Sequence, residues 1–182
     1  MLKTILVHGT LAGALVAGQF VALFALNKGE PPPTWGAIVG YATMLLAFSL
    51  IFLAIKRRRD VAQGGVIRFL PALGLGLGIS LVATMIYAVT WEAVLATTGM
   101  DFAGDYAAQV LEQKRAAGAS AAELAEQAEK LAKFVRDYAN PLYRVPMTMA
   151  EIFPVGLLVS LVSAGLLSNS RFMPARRAAP AA

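Results

Sequence analysis

Residues 69–95 read FLPALGLGLGISLVATMIYAVTWEAVL, with a single charge, Glu92, close to the far end. A helix needs about 20 predominantly apolar residues to cross a bilayer. Inside hydrocarbon every backbone N–H and C=O must find an internal partner, so a run of this length and composition reads as a membrane-spanning helix. Working outward, this run extends to 67–96, and three others pass the same test, at about 5–26, 35–55 and 145–170. The last carries one carboxylate, Glu151, near its start. Across the chain 58% of residues are hydrophobic and 15% charged, against roughly 45–50% and about 25% in a soluble domain. The fold expected is an all-α integral membrane protein: four transmembrane helices, with an extracytoplasmic amphipathic helical hairpin between helices 3 and 4. The first run follows Lys3 but is longer than the roughly 7–15 apolar residues of a signal-peptide core, so it reads as an anchor.

The connections define four segments: 1–100 with the first three spans, 101–144 as the hairpin, 145–170 as the fourth span, and 171–182 as a basic, alanine-rich cytoplasmic tail. Residues 27–34 read NKGEPPPT, a stiff turn. Residues 56–60 read KRRRD, with Gly64-Gly65 shortly after. In the hairpin, Gly118 is a helix stop, and Ser120 with Glu123 forms a capping-box pattern in which the two side chains satisfy the first free N–H groups. Leu124, Leu131 and Tyr138 recur at seven-residue spacing, with Ala128 and Val135 between them, and Phe102, Tyr106 and Val110 recur at four. Both are helical stripes. Asn140-Pro141 suits a cap followed by a first helical position.

Charge sets the expected orientation, because lysine and arginine collect in short cytoplasmic loops. With both termini inside, Lys3, Lys56, Arg57, Arg58, Arg59, Arg68, Arg171, Arg176 and Arg177 share the cytoplasmic side. The opposite side mixes Lys28, Lys114, Arg115, Lys130, Lys133, Arg136 and Arg144 with a similar number of carboxylates. The net charge of +5 therefore describes topology. Lys56, Arg57, Arg58 and Arg59 read as a cytoplasmic anchor facing anionic headgroups, worth about 1 kcal/mol per charge, and no nucleic-acid partner is expected.

Small residues at spacing four let helices approach in lipid, where packing rather than hydrophobic transfer holds them together. The candidate packing pairs are Gly9 with Gly13, Gly36 with Gly40, and Gly74 with Gly78; Gly156 begins a similar run with Ser160 and Ala164. Ionisable groups within spans are functional candidates by default. Glu92 and Glu151 fall at similar depth near the outward ends of their spans, where two close carboxylates could share a proton or hold a cation, and Tyr87 and Trp91 could wall such a site. Structural readings stand beside this one. Thr148 to Glu151 is a second capping-box pattern, and Arg144 is the nearest cation for Glu92. His8, near the inward end of the first span, reads as packed or headgroup-facing. Pro71 and Pro154 suit a helix entry and a kink.

The chain contains no cysteine and one histidine. Disulfides and thiolate chemistry are thereby excluded, no cofactor or metal is expected, and no catalytic motif is present. Several blocks carry a family likeness: residues 41–60, YATMLLAFSLIFLAIKRRRD, with Gly64-Gly65; Ile86-Tyr87 and Trp91-Glu92; Asp101-Phe102 and Tyr106; and Asn140-Pro141 through Thr148 to residues 151–156, EIFPVG. In order and spacing they resemble the bacterial membrane-protein family catalogued as domain of unknown function 4199. The likeness covers about Lys3 to Leu167. It implies a four-span inner-membrane protein with a helical insertion before the last span. It brings no catalytic residues and leaves Asp60, Trp91, Glu92, Asn140 and Glu151 as candidates without roles.

The function expected is that of a non-enzymatic accessory or interaction subunit of a membrane complex. Its partners would be the lipid bilayer and a membrane protein or a second copy of itself; no small-molecule ligand is indicated. A small transporter, channel or ion-binding protein using Glu92 and Glu151 is the alternative, and a lipid-acting membrane enzyme the second.

Overall fold

The structure is a computed structural model that describes residues 1–26 and 35–174. The expected turn at 27–34, with Lys28 and Glu30, and the tail from 175 onward, with Arg176 and Arg177, lie outside the described residues. Among the described residues six α-helices follow one another: α1 Leu2–Leu26, α2 Trp35–Arg57, α3 Phe69–Thr98, α4 Phe102–Ala116, α5 Ala121–Tyr138 and α6 Pro141–Ser168, with a π-helical turn, Arg58–Ala62, after α2. Among the described residues there is no strand. Four helices among the described residues are long and apolar enough to cross a membrane, as the sequence indicates.

Two compact units divide the chain. One holds Met1–Thr90 and the segment from Met149; the other holds Trp91–Thr148. The division coincides with a length argument. Helix α3 has 30 residues and α6 has 28, while about 20 residues suffice for hydrocarbon roughly 30 Å thick. The part of α3 before Trp91 and the part of α6 after Thr148 each supply that length. Glu92 and Arg144 fall in the surplus.

The first unit mixes small and large residues in its core, where small ones let helices approach closely, and carries further large apolar residues on its surface. Its core holds Ala12, Ala47, Ala72, Ala83 and Ala164 around Phe48, Ile51, Leu75 and Ile79. Leu11, Leu15, Leu45, Leu46, Leu81, Val89, Leu158 and Val162 are exposed on its surface.

Two boundaries differ from expectation. Residues 56–60 do not open a loop; the chain stays helical to Ala62. Lysine and arginine are good helix formers, and Asp60 accepts from Lys56 one turn back at 2.5 Å. The reversal follows at Gly64 and Gly65, with φ of 63° and 92°, a region that glycine enters without steric cost. The second difference is the start of α6. The expected cap at Thr148–Glu151 is not formed, because the helix already begins at Pro141, where Asn140 Oδ1 accepts from Leu142 N at 3.0 Å. Thr148 is an interior position, and its hydroxyl donates to Arg144 O at 3.0 Å. The helix continues through Pro154.

The hairpin forms as the stripes predict. Asp101 caps α4, its Oδ1 accepting from Gly104 N at 3.0 Å. Gly118, with φ of 81°, stops the helix. Ser120 and Glu123 complete the capping box of α5: Ser120 Oγ accepts from Glu123 N, and the Glu123 carboxylate accepts from Ser120 N.

Candidate functional site

The second unit concentrates the aromatic and ionic chemistry. Trp91 enters from the last turns of α3 and is 7% exposed. Its indole N–H donates to the Tyr138 hydroxyl at 2.7 Å, and its ring meets Phe102 edge-on at 4.9 Å between centroids. Phe102 reaches Tyr138 at 5.6 Å and Tyr106 at 6.3 Å. Phe134, one turn before Tyr138 on α5, lies 5.4 Å from it and 5.7 Å from Tyr106. Five rings thus form one cluster, whose edge-on and tilted pairs suit the aromatic quadrupole.

Arg144 closes this cluster on its polar side. Its Nε donates to Glu92 Oε1 at 2.7 Å and its Nη2 to Oε2 at 2.5 Å. Its third arm, Nη1, donates to Tyr138 O at 3.1 Å, and its guanidinium carbon stands 5.6 Å from the Tyr138 ring centroid. A planar fork against a carboxylate is the geometry that arginine provides and lysine does not. The expected pairing of Glu92 with Arg144 is present, and it fastens the end of α3 to the start of α6.

The two candidate carboxylates belong to different units, Glu92 to the second and Glu151 to the first. Glu151 lies at an exposed position of α6. It forms no hydrogen bond or ion pair among the described residues. Tyr87 belongs to the first unit, where it packs edge-on against Phe20 at 5.9 Å.

Close packing in the first unit uses some of the expected glycines and one other. A Cβ at Gly9 would stand 2.6 Å from Val82 Cβ, and one at Gly13 would stand 3.1 Å from the Ala83 backbone, so these two let α1 lie against α3. Gly78 receives Ile5 in the same way. On its other side, α3 uses Gly76 rather than Gly74. A Cβ at Gly76 would meet Ser160 Oγ at 2.7 Å, and one at Gly156 would meet Ser80 Oγ at 2.6 Å. The two serine hydroxyls stand 3.2 Å apart, and both are fully buried. Gly74 has only Met1 Cε nearby, at 3.8 Å, and Gly40 has nothing within 4 Å. Gly36 is buried.

The basic run 56–59 is not a uniform headgroup anchor. Arg59 is completely buried. It donates to Asp60 at 2.7 Å, to Phe172 O at 2.9 Å and to Met173 O at 2.5 Å, tying the end of α2 to the segment after α6. Phe52 meets Phe172 edge-on beside it. Lys56 joins the same Asp60. Arg57 and Arg58 take no part in this network. Sequence reasoning missed Phe134, the facing of Gly76 to Ser160 and the burial of Arg59; for the last, the signal was Asp60 itself, a carboxylate within one turn of Lys56 and next to Arg59.

These features define an all-helical protein with four helices of membrane-spanning length and a helical hairpin organised around an aromatic cluster and an ion pair. The chain belongs to the family described as Protein of unknown function (DUF4199), whose model matches residues 8–169. No curated protein and no solved structure matches it.

Proposed function

We propose that this chain is a non-enzymatic accessory or interaction subunit of a membrane complex in the bacterial cytoplasmic (inner) membrane. Both termini lie in the cytoplasm, and the α4–α5 hairpin faces the other side. One observation carries the reading: the Glu92 carboxylate is held by two arms of Arg144 within the hairpin unit, where it acts as a structural tie rather than as an open ion ligand. The exposed charges of α5 pair along its own surface, Lys130 with Glu126 and Lys133 with Asp137, which leaves a solvated helical face for a partner. The orientation rests on the excess of lysine and arginine at one end of the spans.

Gentle purification from native membranes tests the role. A stoichiometric protein partner is the expected result, and recovery of this chain alone overturns it. Labelling of Ser120→Cys, in a chain without native cysteine, tests the orientation; reaction from the cytoplasmic side alone reverses it.

A second reading rests on Glu151, which has no polar partner among the described residues. It makes the protein a proton- or ion-binding subunit. Unchanged ion uptake by Glu151→Gln in reconstituted vesicles removes it.

A further inference from the structure

The division of the basic run has a chemical consequence. Lys56 and Arg59 are satisfied by Asp60 and by the backbone after α6, whereas Arg57 and Arg58 face the first turns of α1. There they line a pocket of about 320 Å³ together with Lys3 and His8, walled on its apolar side by Val7 and Val61. No carboxylate lines it, and the nearby Asp60 is already engaged by Lys56 and Arg59. The Arg58 Nε is buried and has no hydrogen-bond partner among the described residues. A pocket lined by several cations and no carboxylate, with one guanidinium nitrogen of its lining left without a partner, calls for an anionic acceptor. His8 is oriented by donation from its Nδ1 to Thr4 O at 3.0 Å.

We propose that this pocket is a binding site for a phosphate-bearing group. Guanidinium forks match phosphate oxygens two at a time. The volume is at the small end of the range of about 300–1,000 Å³ for ligand sites, which fits a phosphate ester. Lys3 and Arg57 place the pocket at the end of the spans, at the level where headgroups lie. The phosphate comes either from a lipid headgroup or from solution, and the two sources are separable by experiment.

The test uses the full chain in a neutral detergent and in nanodiscs, with native mass spectrometry and thermal shift as readouts. One arm offers inorganic phosphate in detergent. The other compares phosphatidylcholine nanodiscs with and without phosphatidic acid. Saturable binding of one phosphate group per chain is expected. Arg58→Gln and Arg57→Gln weaken it at least tenfold, while Arg68→Gln and Arg171→Gln, basic positions at the same end but outside the pocket, leave it unchanged. Binding of inorganic phosphate assigns a soluble source, and binding of phosphatidic acid alone assigns a headgroup. Arg57 is exposed, so Arg57→Gln keeps the test open if Arg58→Gln does not fold. Absence of binding in both arms, or an equal loss in all four variants, overturns the proposal.

Discussion

Arg144 holds Glu92 with two arms of its guanidinium, at 2.7 and 2.5 Å, across 52 residues of sequence. Both side chains are largely but not fully shielded, 15% and 29% exposed. The pair therefore lies between a screened surface bridge and a buried one. Arg144→Gln and Glu92→Gln should each destabilise the hairpin unit by about 1.5–3 kcal/mol, the range for a charge-assisted hydrogen bond. A double-mutant cycle should return a coupling of at least about 1 kcal/mol, since residues in contact are not additive. Arg144→Lys should recover little, because a lysine reaches one carboxylate oxygen and loses the third arm to Tyr138 O. Denaturant unfolding in detergent, read by hydrogen exchange in residues 101–140, measures this. A coupling of zero would show that the pair does not fasten the unit.

Trp91 gives a second, optical handle on the same cluster. Tyr138→Phe keeps the ring packed on Phe102 and Phe134 but deletes the hydroxyl that receives the indole N–H. The expected cost is about 0.5–1.5 kcal/mol, the net worth of one neutral hydrogen bond. Tyr138→Ala removes the ring as well and should cost about 3–5 kcal/mol. The chain has two tryptophans, and Trp35 is exposed, so a Trp35→Phe background reports Trp91 alone. Its emission should shift modestly in Tyr138→Phe and move strongly to the red in Tyr138→Ala. Identical spectra for the two variants would mean that the cluster does not shield Trp91.

The spans were legible because hydrocarbon thickness translates directly into a count of apolar residues. Ser120, Gly118 and Asn140-Pro141 were legible because helix ends have local chemistry. What remained hidden depends on rotation about a helix axis or on distant partners. Gly74, Gly76 and Gly78 alternate with leucine between Ala72 and Ser80, so three small-residue pairs at spacing four are available, and only the facing of α3 against α6 selects Gly76 with Ser80. The four cations 56–59 look alike in composition. Yet each residue turns the helix by about 100°, so Lys56 and Arg59 reach Asp60 while Arg57 and Arg58 line the pocket. The stripe on α5, taken at seven-residue spacing, reached Tyr138 but passed over Phe134 one turn earlier. Glu92 with Arg144 was accessible only as a candidate, because 52 residues separate them.

The start of α5 should respond to acid in a defined direction. The Ser120 backbone N–H and hydroxyl both donate to the Glu123 carboxylate, and the backbone bond does most to hold its pKa below the ordinary glutamate value. A group whose folded pKa is depressed contributes stability that is present above its unfolded pKa and lost as pH falls through the folded one. The capping contribution should therefore be complete above about pH 4.3, the unperturbed glutamate value, and disappear on further acidification. Site-resolved NMR of the Glu123 side chain should show a midpoint below that of a free glutamate. Ser120→Ala should raise the midpoint, although the backbone donor remains, and a midpoint at or above the free value in the native chain would contradict the capping geometry.

Glycines of equal appearance in sequence should differ sharply in tolerance. An alanine at Gly76 would place its Cβ 2.7 Å from Ser160 Oγ and 2.8 Å from Ser160 Cβ, with Ile51 behind at 3.0 Å. Relief requires α3 and α6 to separate, because the obstacle is a short side chain fixed next to the backbone. Overpacking of this kind costs about 1–3 kcal/mol, and Gly156→Ala should cost as much, since Ser80 presents the reciprocal obstacle. Gly40→Ala meets nothing within 4 Å and should be neutral or slightly stabilising, because alanine is favoured over glycine in a helix by up to about 1 kcal/mol. Combining Gly76→Ala with Ser160→Gly removes both obstructing atoms and should recover part of the loss, whereas Ser160→Ala, which keeps the Cβ, should recover less. Thermal unfolding in a neutral detergent ranks the five variants. If Gly40→Ala proved as damaging as Gly76→Ala, or if Ser160→Gly gave no recovery, the α3–α6 contact would not be the one that holds these helices together.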